Sequence, residues 1–208
     1  MSDATTRGNC FKLLAACFYE PDRDLFIEEQ VCPNLQSLLN GWAAGASKAA
    51  NNMNLGLKAA NQDNLSVDHA SLFVGPFELI APPYGSVYLE KQRQVMGDST
   101  MEVLQHYQQA GLSVDVKDAP DHIAIELEFM HFLCMKEAES SASGKEQEAE
   151  KFRELQRDFY LNALQWVPQF CSVIRKGSTS SFYKELANCL ERFMVTCRHI
   201  YDKESEQI

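Results

Sequence analysis

The stretch APDHIAIELEFMHFL, residues 119–133, joins a helix start to a dense row of apolar side chains. Asp118 just before it is a candidate N-cap, Pro120 suits the first turn of a helix, and Asp121 would lie near the positive end of the helix dipole. Apolar residues then recur every three or four positions, the spacing that buries one face of a helix. The stripe, which predicts a core helix, consists of Ile123, Leu127, Met130, Leu133 and Cys134.

The same helical periodicity extends over most of the 208 residues. No segment alternates apolar and polar residues with the period of two that marks a strand, and no GxGxxG, Walker or GxSxG motif occurs. We therefore predict an all-α fold in which residues 1–208 form a single compact multi-helix domain. Besides residues 119–133, helices are predicted near residues 6–19, 25–31, 33–42, 41–60, 65–73, 101–110, 146–166 and 181–201.

Two segments interrupt the helical pattern. Residues 76–90, PFELIAPPYGSVYLE, contain three prolines and an aromatic cluster, and they predict an ordered loop that follows a left-handed helix cap at Gly75. This loop has two interpretations, as a plug that packs over the helices or as one wall of a groove for an extended peptide. Residues 140–145, SSASGK, predict a polar hinge or loop.

The charge and the cysteines narrow the class of protein. The net charge is −10, with 29 acidic and 19 basic residues, which argues against a nucleic-acid partner because phosphate binding requires Lys and Arg. No apolar run is long enough to span a membrane, and MSDATTRGNC lacks the pattern of a signal peptide, so a cytoplasmic protein is expected. The seven cysteines contain no CxxC pair and are interpreted as buried thiols.

The polar residues of the opening stretch allow two kinds of chemistry. His122, Glu126, Glu128 and His131 are candidate metal ligands, because Glu128-x-x-His131 matches half of a di-iron bundle site. That site needs a second Glu-x-x-His, which the chain lacks, so a helical-bundle metal enzyme is the alternative hypothesis. Asp121 and His122 form a candidate acid/base pair, and the other interpretation is that Asp121 charges the helix start.

An ordered series of short motifs resembles the TorD/DmsD family of redox-enzyme maturation chaperones. Each motif is weak alone, but their order and spacing cover most of the chain, from about residue 65 to 190. The motifs are LFVGP at residues 72–76, PPYGSVYL at 82–89, Met96-Gly97, Tyr107, Gly111-Leu112, PDH at 120–122, ELEFM at 126–130, Phe182-Tyr183 and Leu186-Ala187.

The resemblance implies a cytoplasmic, all-α chaperone that is not an enzyme. Such proteins bind the twin-arginine leader, and often the body, of the apo catalytic subunit of a molybdopterin oxidoreductase of the DMSO or TMAO reductase type. They delay export until the molybdenum cofactor is inserted and the subunit has folded. The resemblance implies no bound cofactor, and guanine nucleotide only by analogy with some members. The SSASGK segment is compatible with a monomer or with a homodimer that exchanges helices.

The resemblance also points to site residues. The PDH segment and the Pro-Pro-aromatic loop are implicated in leader binding, which carries over to Asp121, His122, Pro83 and Tyr84, and the LFxGP turn adds Phe73. His69 lies one helical turn before Phe73 on the same predicted face, and Glu126 is a second carboxylate that could accept from arginine.

This chain departs from the family pattern at two places. Tyr84 stands where many members have tryptophan, which implies a pocket of different size. Asn162-Ala163 stands ahead of Trp166 where many members have His-Leu, so no site is assigned to that region.

Overall fold

The computed structural model describes residues 3–75, 78–90, 95–113 and 119–204. These residues form helices and no β-strand, which confirms the predicted all-α class. Short π-helical and 3₁₀ segments lie at Ala70–Val74 and Leu164–Trp166. The α-helices are α1 Ala4–Ala16, α2 Arg23–Glu28, α3 Val31–Leu39, α4 Ala44–Ala59, α5 Gln62–His69, α6 Gly85–Leu89, α7 Asp98–Gln109, α8 Ile123–Ala142, α9 Glu146–Asn162, α10 Val167–Gly177 and α11 Ser181–Glu204.

The helices group into two compact units. Unit one contains residues 16–82 and 168–208, and unit two contains residues 2–15 and 83–167. The single domain over residues 1–208 stays a prediction. No helix within the described ranges combines the length and the apolar character needed to cross a bilayer.

The core of unit one forms where α4 packs against α11 and α3. The predicted helix over residues 41–60 is confirmed as α4, and its buried face is made of small residues that let neighbouring backbones approach. A Cβ atom at Gly56 would lie 2.9 Å from the backbone nitrogen of Phe182, so glycine is needed for this approach. The apolar pattern of residues 181–201 also includes Val195, which is 54% exposed because it lies two positions from the buried Phe193 and so on another face of α11.

The core of unit two is built around α8. Its predicted apolar stripe is confirmed, since all five side chains are fully buried. α8 packs against α9, and Glu137 of α8 accepts hydrogen bonds from Arg7 of α1 and Gln156 of α9 at 2.8 and 2.9 Å. The ion pair between Arg7 and Glu137 is buried, and the hydrogen bond from Gln156 is a further contact to the same carboxylate. All seven cysteines are buried thiols, as expected.

The predicted hinge at 140–145 is shorter in the structure. α8 continues through Ala142, and the connection to α9 is a tight turn in which Lys145 N donates to Ser140 O at 2.9 Å. Gly144 adopts φ 72°, a left-handed conformation that glycine reaches without steric cost. The polar composition therefore marks a helix-hairpin turn and not an extended hinge.

Three boundary predictions are wrong for physical reasons. The helix of the opening stretch begins at Ile123, so Pro120 and Asp121 precede it, and Asp118 lies outside the described residues. Gly75 has φ −58°, because its N–H already bonds to Ala70 O at 2.7 Å and closes the π-helical segment without a left-handed turn. Residues 85–89 of the predicted loop form α6. Pro76 also lies outside the described residues.

Candidate functional site

The PPYG and PDH motifs lie side by side in unit two. Ile123 N donates to Pro83 O at 2.8 Å, and Gly85 N donates to Asp121 O at 2.9 Å. Tyr84 and His122 form an isolated antiparallel bridge between these hydrogen bonds. The structure therefore brings together the two segments that the sequence implicated in peptide binding.

His122 is the N-cap of α8. Its Nδ1 accepts a hydrogen bond from Ala124 N at 3.2 Å, which satisfies one of the backbone donors that every helix leaves unpaired at its start. The imidazole also packs edge-to-face on Tyr84, with ring centroids 5.3 Å apart. His122 is 8% exposed, so little of its surface is open to solvent. Tyr84 itself is half-buried.

Asp121 holds the start of α6. Its Oδ2 accepts from Ser86 N at 2.8 Å, and the N-cap residue of α6, Tyr84, supplies no side-chain cap of its own. The carboxylate is 1% exposed. Within the described residues its Oδ1 has no hydrogen-bond partner. One oxygen of Asp121 is therefore structural and the other is unsatisfied.

Glu126 is fully buried on the first turn of α8. Its Oε2 accepts from the indole Nε1 of Trp166 at 3.1 Å, and its Oε1 has no partner among the described residues. Burial is the main cause that raises the pKa of Glu126 well above the ordinary range. Repulsion from Asp121 adds to this pKa increase, and the hydrogen bond from Trp166 opposes it.

Trp166 orders the neighbouring backbone. Its indole stacks on Tyr88 with centroids 5.2 Å apart. A Cβ atom on Gly85 would lie 2.8 Å from Trp166 Nε1, so glycine is required where α6 approaches the indole. Neither Trp166 nor Tyr88 was a candidate site residue from the sequence, because their contacts join segments that are far apart in the chain.

A cleft opens beside these carboxyl groups in unit two. The cleft itself has a volume of about 10 Å³, room for about one water molecule, and the space of about 280 Å³ around it includes open solvent. Asp121 and Glu126 both line it, and so do Asn162 and Ala163, the region to which the sequence interpretation assigned no site. The other lining residues are Gly85, Ser86, Leu89, Ser99, Glu102, Val103 and His106.

α7 supplies one side of the cleft through Ser99, Glu102, Val103 and His106. Burial lowers the pKa of His106, an effect that Asp158 and Glu102 partly oppose, so the imidazole is not a built-in cation at neutral pH. Neither Glu102 nor His106 was a candidate site residue from the sequence. Because these two residues are four positions apart on a predicted helix, the sequence did indicate that they lie on the same face of that helix.

The two remaining candidates lie in unit one. Phe73 is 2% exposed and contacts Phe18, Phe170 and Tyr183 in an aromatic cluster. His69 is also buried, its Nε2 lies 3.3 Å from Phe18 O, and burial lowers the pKa of His69. These two side chains therefore belong to the core of unit one, and their role in peptide binding stays a prediction.

The structure does not support the metal-enzyme alternative. Glu126 is buried against Trp166 while Glu128 is exposed, because two positions on a helix turn the side chain to another face. Nδ1 of His131 lies 2.9 Å from Gly8 O, and His122 caps α8. Across the described ranges, no three His, Cys, Asp or Glu side chains are grouped as a metal site would require.

Comparisons with known proteins agree with the motif series. The chain is 25% identical over 182 residues to a Tat proofreading chaperone DmsD from Salmonella typhi, a match that covers 84% of this chain and 80% of the relative. It is 31% identical over 128 residues to a selenate reductase assembly chaperone protein from Thauera selenatis, covering 59% and 64% of the two chains. It is 28% identical over 136 residues to the chaperone protein TorD of Aliivibrio salmonicida, covering 64% and 62%.

A solved structure has the same fold. The crystal structure of a protein named as a redox enzyme maturation protein, from Archaeoglobus fulgidus, matches with a TM-score of 0.54 and 24% identity over 88% of this chain and 93% of that one. The family model described as nitrate reductase delta subunit matches residues 39–172, which is more than half of the chain. The chain therefore belongs to the nitrate reductase delta subunit family and, within it, to the TorD/DmsD group of redox-enzyme maturation chaperones.

Proposed function

We propose that this protein is a cytoplasmic chaperone that binds the twin-arginine leader of a DMSO or TMAO reductase-type molybdoenzyme catalytic subunit. It also engages the apo subunit and delays export until cofactor insertion and folding are complete. The names of the relatives, a Tat proofreading chaperone and a selenate reductase assembly chaperone among them, support this function. Binding and retention require no catalytic group, so the activity is not enzymatic.

The observation that carries this proposal is the acidic cleft of unit two. Asp121 and Glu126 both line it, and one carboxyl oxygen of each has no partner within the described residues. A guanidinium group carries five N–H donors in a planar fork, and charge-assisted hydrogen bonds to carboxylates are the strongest that it forms. An arginine side chain of the leader would thus satisfy polar atoms that are now unsatisfied.

Apolar contacts would come from the rim of the same cleft. Leu89 lines the cleft and is exposed, and Tyr84 is half-buried on the adjacent bridge. Pro83 is buried and contributes its carbonyl to the bridge, so it fixes the position of Tyr84. An apolar leader residue next to the arginines would pack on Leu89 and Tyr84. Phe73 and His69 lie in the core of unit one, and their contact with the peptide stays a prediction of the family resemblance.

The proposed function can be tested by replacing one carboxyl oxygen of Asp121 with an amide nitrogen. Asp121→Asn keeps an oxygen that can accept from Ser86 N but removes the negative charge, so α6 stays ordered while arginine loses its ion pair. We expect at least about tenfold weaker binding of a synthetic leader peptide with paired arginines, measured by titration calorimetry. A twin-lysine version of the peptide should bind more weakly than the twin-arginine version to the unmodified protein.

Glu128→Gln is the matched control, because it removes the same charge from an exposed position on α8. Its affinity should equal that of the unmodified protein, and circular dichroism should report the same helix content for all three proteins. An Asp121→Asn variant that binds the twin-arginine peptide as tightly as the unmodified protein does would contradict the assignment of this cleft as the leader site.

Three further aspects stay predictions of the family resemblance. The client is a molybdoenzyme subunit whose identity the chain does not specify. The oligomeric state is a monomer or a homodimer, and exchange of α9 through the turn at Gly144 is one route to the dimer. No cofactor is expected, and guanine nucleotide binding rests on analogy alone.

A further inference from the structure

Two buried carboxyl groups share one cleft without a resident cation. Asp121 and Glu126 have one satisfied and one unsatisfied oxygen each, and both face the cleft. In the part of the chain that the structure describes, neither forms an ion pair with Lys or Arg. Two like charges held together away from water cannot both remain ionised without a large cost, so one of the pair must hold a proton or attract a cation.

The other groups that face the cleft do not neutralise it. α7 contributes Glu102 and His106, of which the first is acidic and the second is kept neutral by burial. α6 contributes Ser86, and α9 contributes its last residue, Asn162, neither of which titrates. Trp166 donates a neutral hydrogen bond to Glu126. The group best suited to hold the proton is Glu126, because its side chain is fully buried and burial raises its pKa well above the ordinary range. Its unsatisfied Oε1 can carry the proton while Oε2 continues to accept from the indole.

We propose that a guanidinium group entering this cleft displaces a proton from Glu126, so that capture of the leader is coupled to proton release. The guanidinium keeps its own charge, and the proton passes to the solvent buffer. Before binding, the protonated Glu126 leaves Asp121 as the single anion of the pair. After binding, both carboxylates are ionised and the planar fork of donors lies between their unsatisfied oxygens.

The coupling predicts how affinity depends on pH. Burial and Asp121 raise the pKa of Glu126 in the free protein, and a bound cation would lower it again. Between the lowered pKa of Glu126 in the complex and its raised pKa in the free protein, each binding event releases about one proton, so affinity increases by about tenfold per pH unit. Above that pKa the carboxyl is already ionised and affinity no longer depends on it. The chaperone would hold its leader more tightly as pH rises.

Calorimetry tests the coupling with the twin-arginine peptide. The peptide is titrated at one pH into two buffers of different ionisation enthalpy, and the difference in observed heat gives the number of protons released. We expect about one proton for the unmodified protein and for Glu128→Gln, and none for Glu126→Gln, whose side chain has no acidic proton but still accepts from Trp166. Binding without proton release in the unmodified protein, or equal release from the Glu126→Gln variant, would overturn the coupling.

The coupling rests on the proposed leader site, so a second measurement is needed to distinguish failure of the coupling from failure of that site. The indole N–H resonance of Trp166 reports the protonation of Glu126, because the two groups share a hydrogen bond. Its pH titration is followed with and without arginine methyl ester, a small guanidinium probe. A midpoint that falls when the probe is present supports the coupling even where the leader peptide fails to bind. A midpoint that does not change at saturating probe rejects it.

Discussion

At the scale of single residues, ionisation of the buried Glu126 carboxyl opposes the stability of the folded protein. Its carboxyl is buried on α8 without a positively charged partner in the described ranges, and this burial raises its pKa from the ordinary value of 4.5. A proton that the folded protein retains is released by the unfolded chain at lower pH. The stability from Glu126 is therefore fully present below the unfolded pKa and is lost as pH rises through the folded pKa.

Glu126→Gln should remove this dependence on pH. In the unmodified protein, Glu126 contributes a loss of about 1.4 kcal/mol of unfolding free energy per pH unit between its unfolded and folded pKa values. The glutamine variant has no such loss and keeps the bond from Trp166, so its relative stability should increase with pH. Urea unfolding at a series of pH values measures the difference. For Glu128→Gln, at an exposed position, the difference in unfolding free energy from the unmodified protein should not change with pH. A difference that does not change with pH for either variant would contradict a buried neutral Glu126.

At the scale of secondary-structure elements, the N-cap of α8 combines structure and recognition in one side chain. His122 accepts from Ala124 N and contacts Tyr84, so its replacement by alanine removes a cap and a ring contact together. We expect His122→Ala to lower the unfolding free energy by about 1 kcal/mol, the usual cost of a lost N-cap. Asparagine is among the best N-cap residues, so His122→Asn should recover most of that loss.

The variants His122→Ala and His122→Asn also distinguish a capping role of His122 from a direct contact with the peptide. If His122 contacts the leader through its ring, His122→Asn should unfold at nearly the same urea concentration as the unmodified protein and still bind the peptide more weakly. If the only role of His122 is to cap α8, His122→Asn should recover affinity and stability together. Urea unfolding and calorimetry on the three proteins distinguish these outcomes.

The predictability of each element depended on how local its stabilising contacts are. α8 and α11 were predictable because their apolar stripes follow the helical period over many turns. α6 was not, because five residues after two prolines have little intrinsic helix stability and depend on distant contacts. Those contacts come from Asp121, which accepts from Ser86 N, and from Trp166, which packs against Gly85. α10 was missed because Pro168 indicated a helix end, although proline is tolerated in a first turn.

The candidate site was also predictable only in part from the sequence. The motifs of the family placed Asp121, His122, Pro83 and Tyr84 together, and the structure confirms that proximity in unit two. The sequence could not indicate that Asp121 and Glu126 face one cleft with His106, since this depends on the packing of α7. Nor could it indicate that Phe73 is enclosed by other aromatic rings. Pair contacts between distant segments have no periodic signal in a single sequence.

At the scale of the whole molecule, the net charge of −10 should act on the approach of the leader. A basic peptide is attracted from a distance by an acidic protein, and salt reduces this attraction because the screening length falls from about 10 Å at 0.1 M to about 3 Å at 1 M. The buried carboxylates of the cleft act only after contact and are screened much less. The two effects should therefore separate into association and dissociation rates.

Stopped-flow measurements with the twin-arginine peptide test that separation. We expect the association rate constant to fall several-fold between about 0.05 and about 0.5 M salt, with a much smaller change in dissociation, because long-range steering is the screened quantity. Asp121→Asn should keep most of the salt dependence of association and dissociate faster, since it loses a contact inside the cleft. Glu128→Gln should slow association slightly and leave dissociation unchanged. An increase in dissociation of the Glu128→Gln variant equal to that of Asp121→Asn would mean that overall charge, and not the cleft, determines how long the leader stays bound.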